Sequence, residues 1–303
     1  MSRVDAFLGR NETIPGITLR HDVYPTIDTT RAISGQTYSG KVVLVTDISC
    51  GIGLEIARQY ARAGAKLAIT SRTLATLEAN RDAILEAVPS AEVLVVPVDI
   101  RDKKRLEAAV HSALEVYGRL DILIANAEKA PDASVDSIEV NIRGVFNSIC
   151  AAVRALQNTQ GCIVVISSGA FHDGHSGGSG YNTSKTAVGR LVEFLALGVL
   201  SRIPSPQRRL SKTAVEYPTV TAFALDPGLI EQKTLEKDIG VDGLIPDKLA
   251  LPAATVLYLT AGGAHWLTGR HVSANWDLGE AEKEWKARIL EESGNTSKGY
   301  TLS

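Results

Sequence analysis

The 303-residue chain predicts an α/β fold, a doubly wound parallel sheet in a single domain with extensions at both ends. Three observations predict it. Short continuous apolar runs recur along the chain, as expected of strands covered on both faces. Segments of helix length with amphipathic character separate these runs, which suits parallel crossovers. A turn carrying Gly51 and Gly53 follows the first run and leads into a helix.

Residues 1–39 read as an N-terminal extension with turn residues and little periodicity. Val42-Val43-Leu44-Val45 is the first buried strand, followed by a helix near Leu54 to Ala63. Leu67-Ala68-Ile69-Thr70 and Val93-Leu94-Val95-Val96 are the second and third strands. Asp102 caps a helix running to about Tyr117, because its carboxylate can accept from the free amides of the first turn. Ile122-Leu123-Ile124 is the fourth strand, and a helix from Ser137 to Leu156 follows. The fifth strand spans Gly161 to Ile166 and leads through a Gly-rich loop to a helix holding Tyr181. Val220 to Ala224 is the sixth strand and Thr268 to Ser273 contains the seventh. Residues 201–218 read as a polar surface insertion, and 280–303 as a charged helix (Ala281 to Glu292) with a polar tail. The main domain is thus 40–279, a Rossmann-type sheet whose ligands belong at the carboxyl ends of the strands. Asn126 and Ser168 fall at such ends.

Composition excludes several classes. A net charge of −2 gives no reason to expect nucleic acid or an anionic membrane as partner. No apolar run approaches the length of a membrane span, and the first ten residues lack a signal-peptide core. Cys50, Cys150 and Cys162 form neither a metal spacing nor a disulfide framework, so reduced thiols and a cytoplasmic location are expected. Asn182-Thr183-Ser184 fits a glycosylation sequon by accident, since it lies inside a helix.

The chemistry concentrates in Tyr181-Asn182-Thr183-Ser184-Lys185, with Ser168 thirteen residues before the tyrosine and Asn141 further upstream. A Tyr and a Lys four apart share one helix face. An ammonium near a phenol favours the phenolate, lowering the Tyr pKa from its reference of about 10. A proton donor or acceptor usable near neutral pH is the expected result.

With these residues in view the chain resembles the short-chain dehydrogenase/reductase family from about residue 40 to 278. The lead-in His21-Asp22-Val23-Tyr24-Pro25 and the ending Leu267 to Asp277 resemble a fungal branch of it, whose members often sit in secondary-metabolite pathways. The resemblance implies roles. Tyr181 is the general acid or base toward the substrate oxygen. Lys185 lowers its pKa and holds the nicotinamide ribose. Ser168 hydrogen-bonds the reacting carbonyl, and Asn141 supports a proton relay. It also implies a small-molecule substrate and a homo-oligomer.

On the cofactor side the family pattern Thr-Gly-x-x-x-Gly-x-Gly reads Thr46-Asp47-Ile48-Ser49-Cys50-Gly51-Ile52-Gly53. The Asn-Ala-Gly after the fourth strand reads Asn126-Ala127-Glu128. Two cofactor-facing glycines are therefore acids. Asp tolerates the left-handed backbone region better than most residues. A carboxylate about 4 Å from a phosphate costs ~4 kcal/mol at an effective dielectric near 20, roughly three decades in affinity. Either both side chains swing to water and binding weakens modestly, or dinucleotide binding is impaired. Asp99 matches the family position that contacts adenine. Ser71-Arg72 lacks the acid of NAD-preferring members, and Arg72 can pair with a 2′-phosphate, which favours NADP. Asp226-Pro227-Gly228-Leu229-Ile230 matches the family's turn near the nicotinamide, with Gln232 where a Thr is usual. His172 and His175, in the loop after Ser168, can face substrate. Three readings follow: an NADP(H)-dependent oxidoreductase on a mid-sized apolar carbonyl or secondary alcohol; a non-redox dehydratase, isomerase or cyclase using the Tyr/Ser/Lys set; and a binding protein without catalysis.

Overall fold

A computed structural model describes residues 16–49, 51–129, 135–171, 178–200, 219–230 and 247–293. The strands are β1 (Val42–Thr46), β2 (Lys66–Ser71), β3 (Val93–Pro97), β4 (Ile122–Ala125), β5 (Cys162–Ile166), β6 (Thr221–Asp226) and β7 (His271–Ser273). They form one seven-stranded sheet in the order β3-β2-β1-β4-β5-β6-β7. Every pairing is parallel. The order reverses between β1 and β4, which puts the ligand crevice at the ends of those two strands.

The helices are α1 (Thr30–Ser34), α2 (Gly51–Arg62), α3 (Leu74–Ala87), α4 (Lys103–Tyr117), α5 (Val135–Ile138), α6 (Val145–Thr159), α7 (Ser179–Leu200), α8 (Ala250–Thr260) and α9 (Leu278–Ser293). Alternate residues of a strand point to opposite faces. Val43 and Val45 accordingly join the core that holds Ile56 of α2 and Val256 of α8. Val42 and Leu44 join the core that holds Ile149 of α6 and Val192 of α7. Both faces of β1 are covered, and all five of its residues are buried. That explains why it reads as an unbroken apolar run.

The strands and α4 stand where the sequence places them. Asp102 caps α4 by accepting from the Arg105 amide at 3.1 Å. Three helices escaped the sequence reading, the first being the short α1, with no buried residue to mark it. In α8 all but a few residues are buried, so no amphipathic period marks it. In α3 only Leu77 and Ile84 are buried, too few to make a stripe. The helix expected from Ser137 to Leu156 is present, running from α5 into α6 through a π-helical turn, Glu139–Gly144.

Residues 16–39 pack closely on the sheet domain. Leu19 bridges to Trp276 in antiparallel fashion. The Arg20 amide donates to Asn275 O at 2.6 Å. The buried Tyr24 hydroxyl donates to Trp276 O and accepts from the Leu278 amide. Tyr38 meets Tyr60 edge to face, centroids 4.9 Å apart. The polar insertion 201–218 and the tail after 293 lie outside the described residues. Among the described residues no helix is long and apolar enough to cross a membrane.

Candidate active site

The loop after β1 is built on a backbone that only certain residues tolerate. Asp47 has φ 53° and Gly51 φ 60°, both in the left-handed region. The expectation that Asp preserves this turn holds. Asp47 Oδ1 accepts from the Ser49 amide at 3.3 Å, a short side-chain turn. Asn126 Nδ2 donates to Asp47 O at 2.7 Å and Thr46 O at 3.2 Å. Thr46 Oγ1 accepts from the amides of Asn126 and Ala127. The loops after β1 and β4 are thereby strapped together. A Cβ on Gly53 would stand 2.5 Å from Asn126 Nδ2 and 2.7 Å from Asp47 O, so glycine is required for this approach. Ile52 is buried behind the loop. Asn80 on α3 adds a clamp that no sequence signal announces, donating to Ile48 O at 2.6 Å.

Tyr181 and Lys185 rise from α7 beneath the end of β5, and both are buried. Lys185 Nζ sits 5.3 Å from the Tyr181 ring centroid. Ser168, two residues past β5, accepts from the Ala170 amide at 3.2 Å and lies near enough to Tyr181 to favour its phenolate. Asn141, buried in the π-helical turn, accepts from the Lys129 amide at 2.7 Å and donates to Ser184 Oγ at 3.0 Å. It ties the loop after β4 to α7. Of the four positions that the resemblance implies, Ser168, Tyr181 and Lys185 gather together, and Asn141 reaches their helix through Ser184.

Glu128 changes their chemistry. Its Oε2 accepts from Lys185 Nζ at 2.6 Å and lies 3.5 Å from Tyr181 Oη. Lys185 also donates to Ile166 O at 3.1 Å. The Glu128 side chain, 30% exposed, therefore turns inward onto the acid–base set instead of swinging to water. The sequence reading placed the Tyr181 phenol below its ordinary value, and the structure reverses this. Burial pushes it up to about 12, the Glu128 carboxylate adds to the rise, and Lys185 and Ser168 oppose it. Burial alone would lower the Lys185 ammonium. The Glu128 charge, with Tyr181, outweighs that and holds it above its ordinary value.

A cavity of about 240 Å³ opens from this point along the ends of β1 to β4. It is lined by Asp47, Ser71, Arg72, Asp99, Arg101 and Glu128, among others. Arg72 is exposed and Ser71 buried. Asp99 is gripped by Arg101 through two nitrogens, at 3.0 and 2.6 Å, and that bond chiefly holds its carboxyl below the usual range. Arg101 was not anticipated from the sequence.

At the end of β6, Pro227 and Ile230 are buried and Gly228 adopts φ 82°. A Cβ on Gly228 would meet Asp247 Oδ2 at 2.5 Å. Asp247 accepts from the Leu229 amide at 2.6 Å and from Asn275 Nδ2 at 2.8 Å, and its Oδ1 lies 2.6 Å from His21 Nδ1. The N-terminal segment thus reaches the turn that the resemblance sets beside a nicotinamide. His172, His175, Gln232 and Cys50 lie outside the described residues. Burial pushes the Cys162 thiol up to about 12. Among the described residues no cluster of His, Cys, Asp or Glu could hold a metal ion.

Comparisons with known proteins agree with this arrangement. The family model described as short chain dehydrogenase matches residues 41–202. Short chain dehydrogenase citE of Monascus ruber is 33% identical over 287 residues, covering 87% of this chain and 90% of that protein. Short chain dehydrogenase/reductase nsrO of Aspergillus novofumigatus is 27% identical, covering 86% and 87%. A short-chain type dehydrogenase/reductase from Mycobacterium marinum superposes with a TM-score of 0.66 at 22% identity, over 80% of this chain and 96% of that one, which speaks for the fold. Parallel sheet, active-site residues and relatives converge on one conclusion: the chain belongs to the short-chain dehydrogenase/reductase family.

Proposed function

We propose that the protein is an NADP(H)-dependent oxidoreductase that interconverts a carbonyl and a secondary alcohol on a mid-sized, apolar small molecule. The observation that carries this reading is the grouping of Lys185 Nζ 5.3 Å from the ring of the buried Tyr181, with Ser168 nearby and Glu128 joining them to a cavity that Arg72 also lines. The residues suit a dinucleotide at several points. The glycine turn opening α2 presents helix-end amides to a pyrophosphate. Arg72 can pair with a 2′-phosphate. Thr46, Ser49, Asn126, Asp99, Pro227, Gly228 and Ile230 complete the cradle that the family resemblance implies. The cofactor, when bound, supplies or accepts the hydride. Tyr181 exchanges the proton of the substrate oxygen, and Ser168 orients that oxygen. Lys185 has to leave Glu128 before it can hold a ribose.

Cytoplasmic residence, a homo-oligomeric state and a place in fungal secondary metabolism belong to the same proposal. The kinship with Monascus and Aspergillus proteins supports the last of these. Fluorescence titration with NADPH and NADH tests the core of it. Low-micromolar binding with NADPH preferred is the expected result. A second reading, a non-redox enzyme using the same Tyr/Ser/Lys set, is favoured by one observation, the Glu128–Lys185 ion pair. No binding of either dinucleotide at millimolar concentration would decide for it.

A further inference from the structure

Four groups from four elements act on the Tyr181 hydroxyl. They are Lys185 from α7 itself, Ser168 from the turn after β5, Glu128 from the loop after β4, and Asp226 from the end of β6. One is a cation, one a hydroxyl and two are carboxylates. The cation makes its shortest contact with Glu128, at 2.6 Å, and its second with the Ile166 carbonyl. Neither lone ammonium nor net positive charge is left to stabilise a phenolate. A phenolate would instead stand 3.5 Å from a carboxylate oxygen in a buried place, where like charges repel strongly.

We propose that Glu128 holds Tyr181 as a protonated phenol and so sets this site to deliver a proton to the substrate oxygen rather than to withdraw one. Within the proposed function this favours carbonyl reduction. The Tyr181 O–H bond breaks as the proton passes to the substrate oxygen, and the electron pair stays on the phenol oxygen. The carbonyl carbon is reduced by the hydride of NADPH, which is oxidised to NADP⁺, and the phenolate regains its proton from solvent. Withdrawal of a proton from an alcohol requires a resting phenolate, which Glu128 opposes. The upward displacement of the Tyr181 phenol agrees with the geometry. Glu128 acts here through Tyr181 and Lys185, as a positioning residue. The direction of reaction rests on the oxidoreductase reading and on Glu128 staying beside Tyr181 when Lys185 turns to the ribose, whereas the resting state of Tyr181 rests on neither.

The test is an ultraviolet difference titration of the ligand-free protein against its Tyr181→Phe variant. The phenolate signal of Tyr181 is expected only above pH ~10, the free-tyrosine value. In Glu128→Gln its midpoint should fall by about one pH unit or more. Glu128→Asp, which keeps the charge, should return most of that fall. Phenolate in the parent protein well below the free-tyrosine value, or an unmoved midpoint in Glu128→Gln, overturns the proposal. Should Glu128→Gln fail to fold, the difference between the parent and Tyr181→Phe decides alone. Failure to bind NADPH would leave this result standing, and failure of the titration would leave cofactor binding standing.

Discussion

Replacing Glu128 with Gly should raise the affinity for NADP⁺. In the parent, Lys185 gives up Glu128 before it can meet ribose hydroxyls, so the strength of that contact is subtracted from the binding energy. Two unit charges 2.6 Å apart attract by ~6 kcal/mol at an effective dielectric near 20. That figure is an upper bound. The Lys185 side chain is 2% exposed and that of Glu128 30%, so the freed carboxylate recovers part of its hydration. A net cost of about 2–3 kcal/mol is reasonable for a pair of which one partner is half-buried. The variant should therefore bind NADP⁺ roughly 30- to 150-fold more tightly. Glu128→Gln keeps a hydrogen-bond acceptor without the charge and should fall between. Asp47→Gly should add a smaller gain, since its carboxylate is half-buried and engaged by the Ser49 amide. The Asp47 part should shrink at high salt, where exposed charges are screened. Calorimetric titration of parent, single and double variants in low and high salt measures these differences. Thermal melting must accompany it, because Glu128→Gly leaves a buried ammonium without its counter-charge. Unchanged or weaker NADP⁺ binding by a folded Glu128→Gly protein would refute the reasoning.

Three further outcomes are expected. Tyr181→Phe should lower turnover by about 10²–10⁴-fold while melting near the parent temperature, since the ring stays packed and only the proton-transfer group is lost; full turnover would remove Tyr181 from the mechanism. Arg72→Ala should weaken NADPH binding much more than NADH binding, because only NADPH offers a 2′-phosphate to the guanidinium; an equal fall in both would dismiss the NADP assignment. Alkali should destabilise the fold: burial raises the phenols of Tyr24, Tyr38, Tyr60 and Tyr181. The unfolded chain releases those protons from about pH 10, while the folded chain holds them to higher pH. Stability is then complete below that value and falls as pH rises toward the folded values. Denaturant midpoints that stay flat above pH 10 would contradict this.

The strands were legible because burial on both faces writes itself into unbroken apolar runs, and Asp102 because a capping carboxylate has a fixed place relative to its helix. The tetrad was legible because Tyr181 and Lys185 share one turn of α7, and Ser168 lies just past a strand end. What stayed hidden was where side chains of long reach end up. Glu128 was recognised as an acid in a glycine's place, and the repulsion considered was with a phosphate. Its actual partner, Lys185, is 57 positions away in sequence, and no local pattern couples them. The sign of the Tyr181 displacement was missed because burial, the largest cause, raises a phenol and Glu128 adds to the rise, so that the lowering by the i,i+4 ammonium is outweighed. Helix α8 stayed hidden for the opposite reason, since a helix buried nearly all round has no stripe to detect.

The two segments that resemble a fungal branch, His21 to Pro25 and Leu267 to Asp277, are distant in sequence and adjacent in the fold. Tyr24 bonds the backbone of Trp276 and Leu278, Arg20 grips Asp277 with two nitrogens at 3.0 and 2.8 Å, and Asn275 Nδ2 donates to Arg20 O. Neither segment has these partners without the other, so the two are features of one surface. That surface also reaches the site. Asp247, its side chain 3% exposed, receives His21 from the lead-in, Asn275 from the ending, and the Leu229 amide from the turn after β6. A buried carboxylate with three such partners cannot lose one without leaving charge or donor unsatisfied. The lead-in is therefore coupled to the position of Pro227 and Gly228, although it lies wholly outside the span matched by the family model. In this chain the acid–base set is supplied by the shared domain, while the turn on its far side is held by residues outside that span.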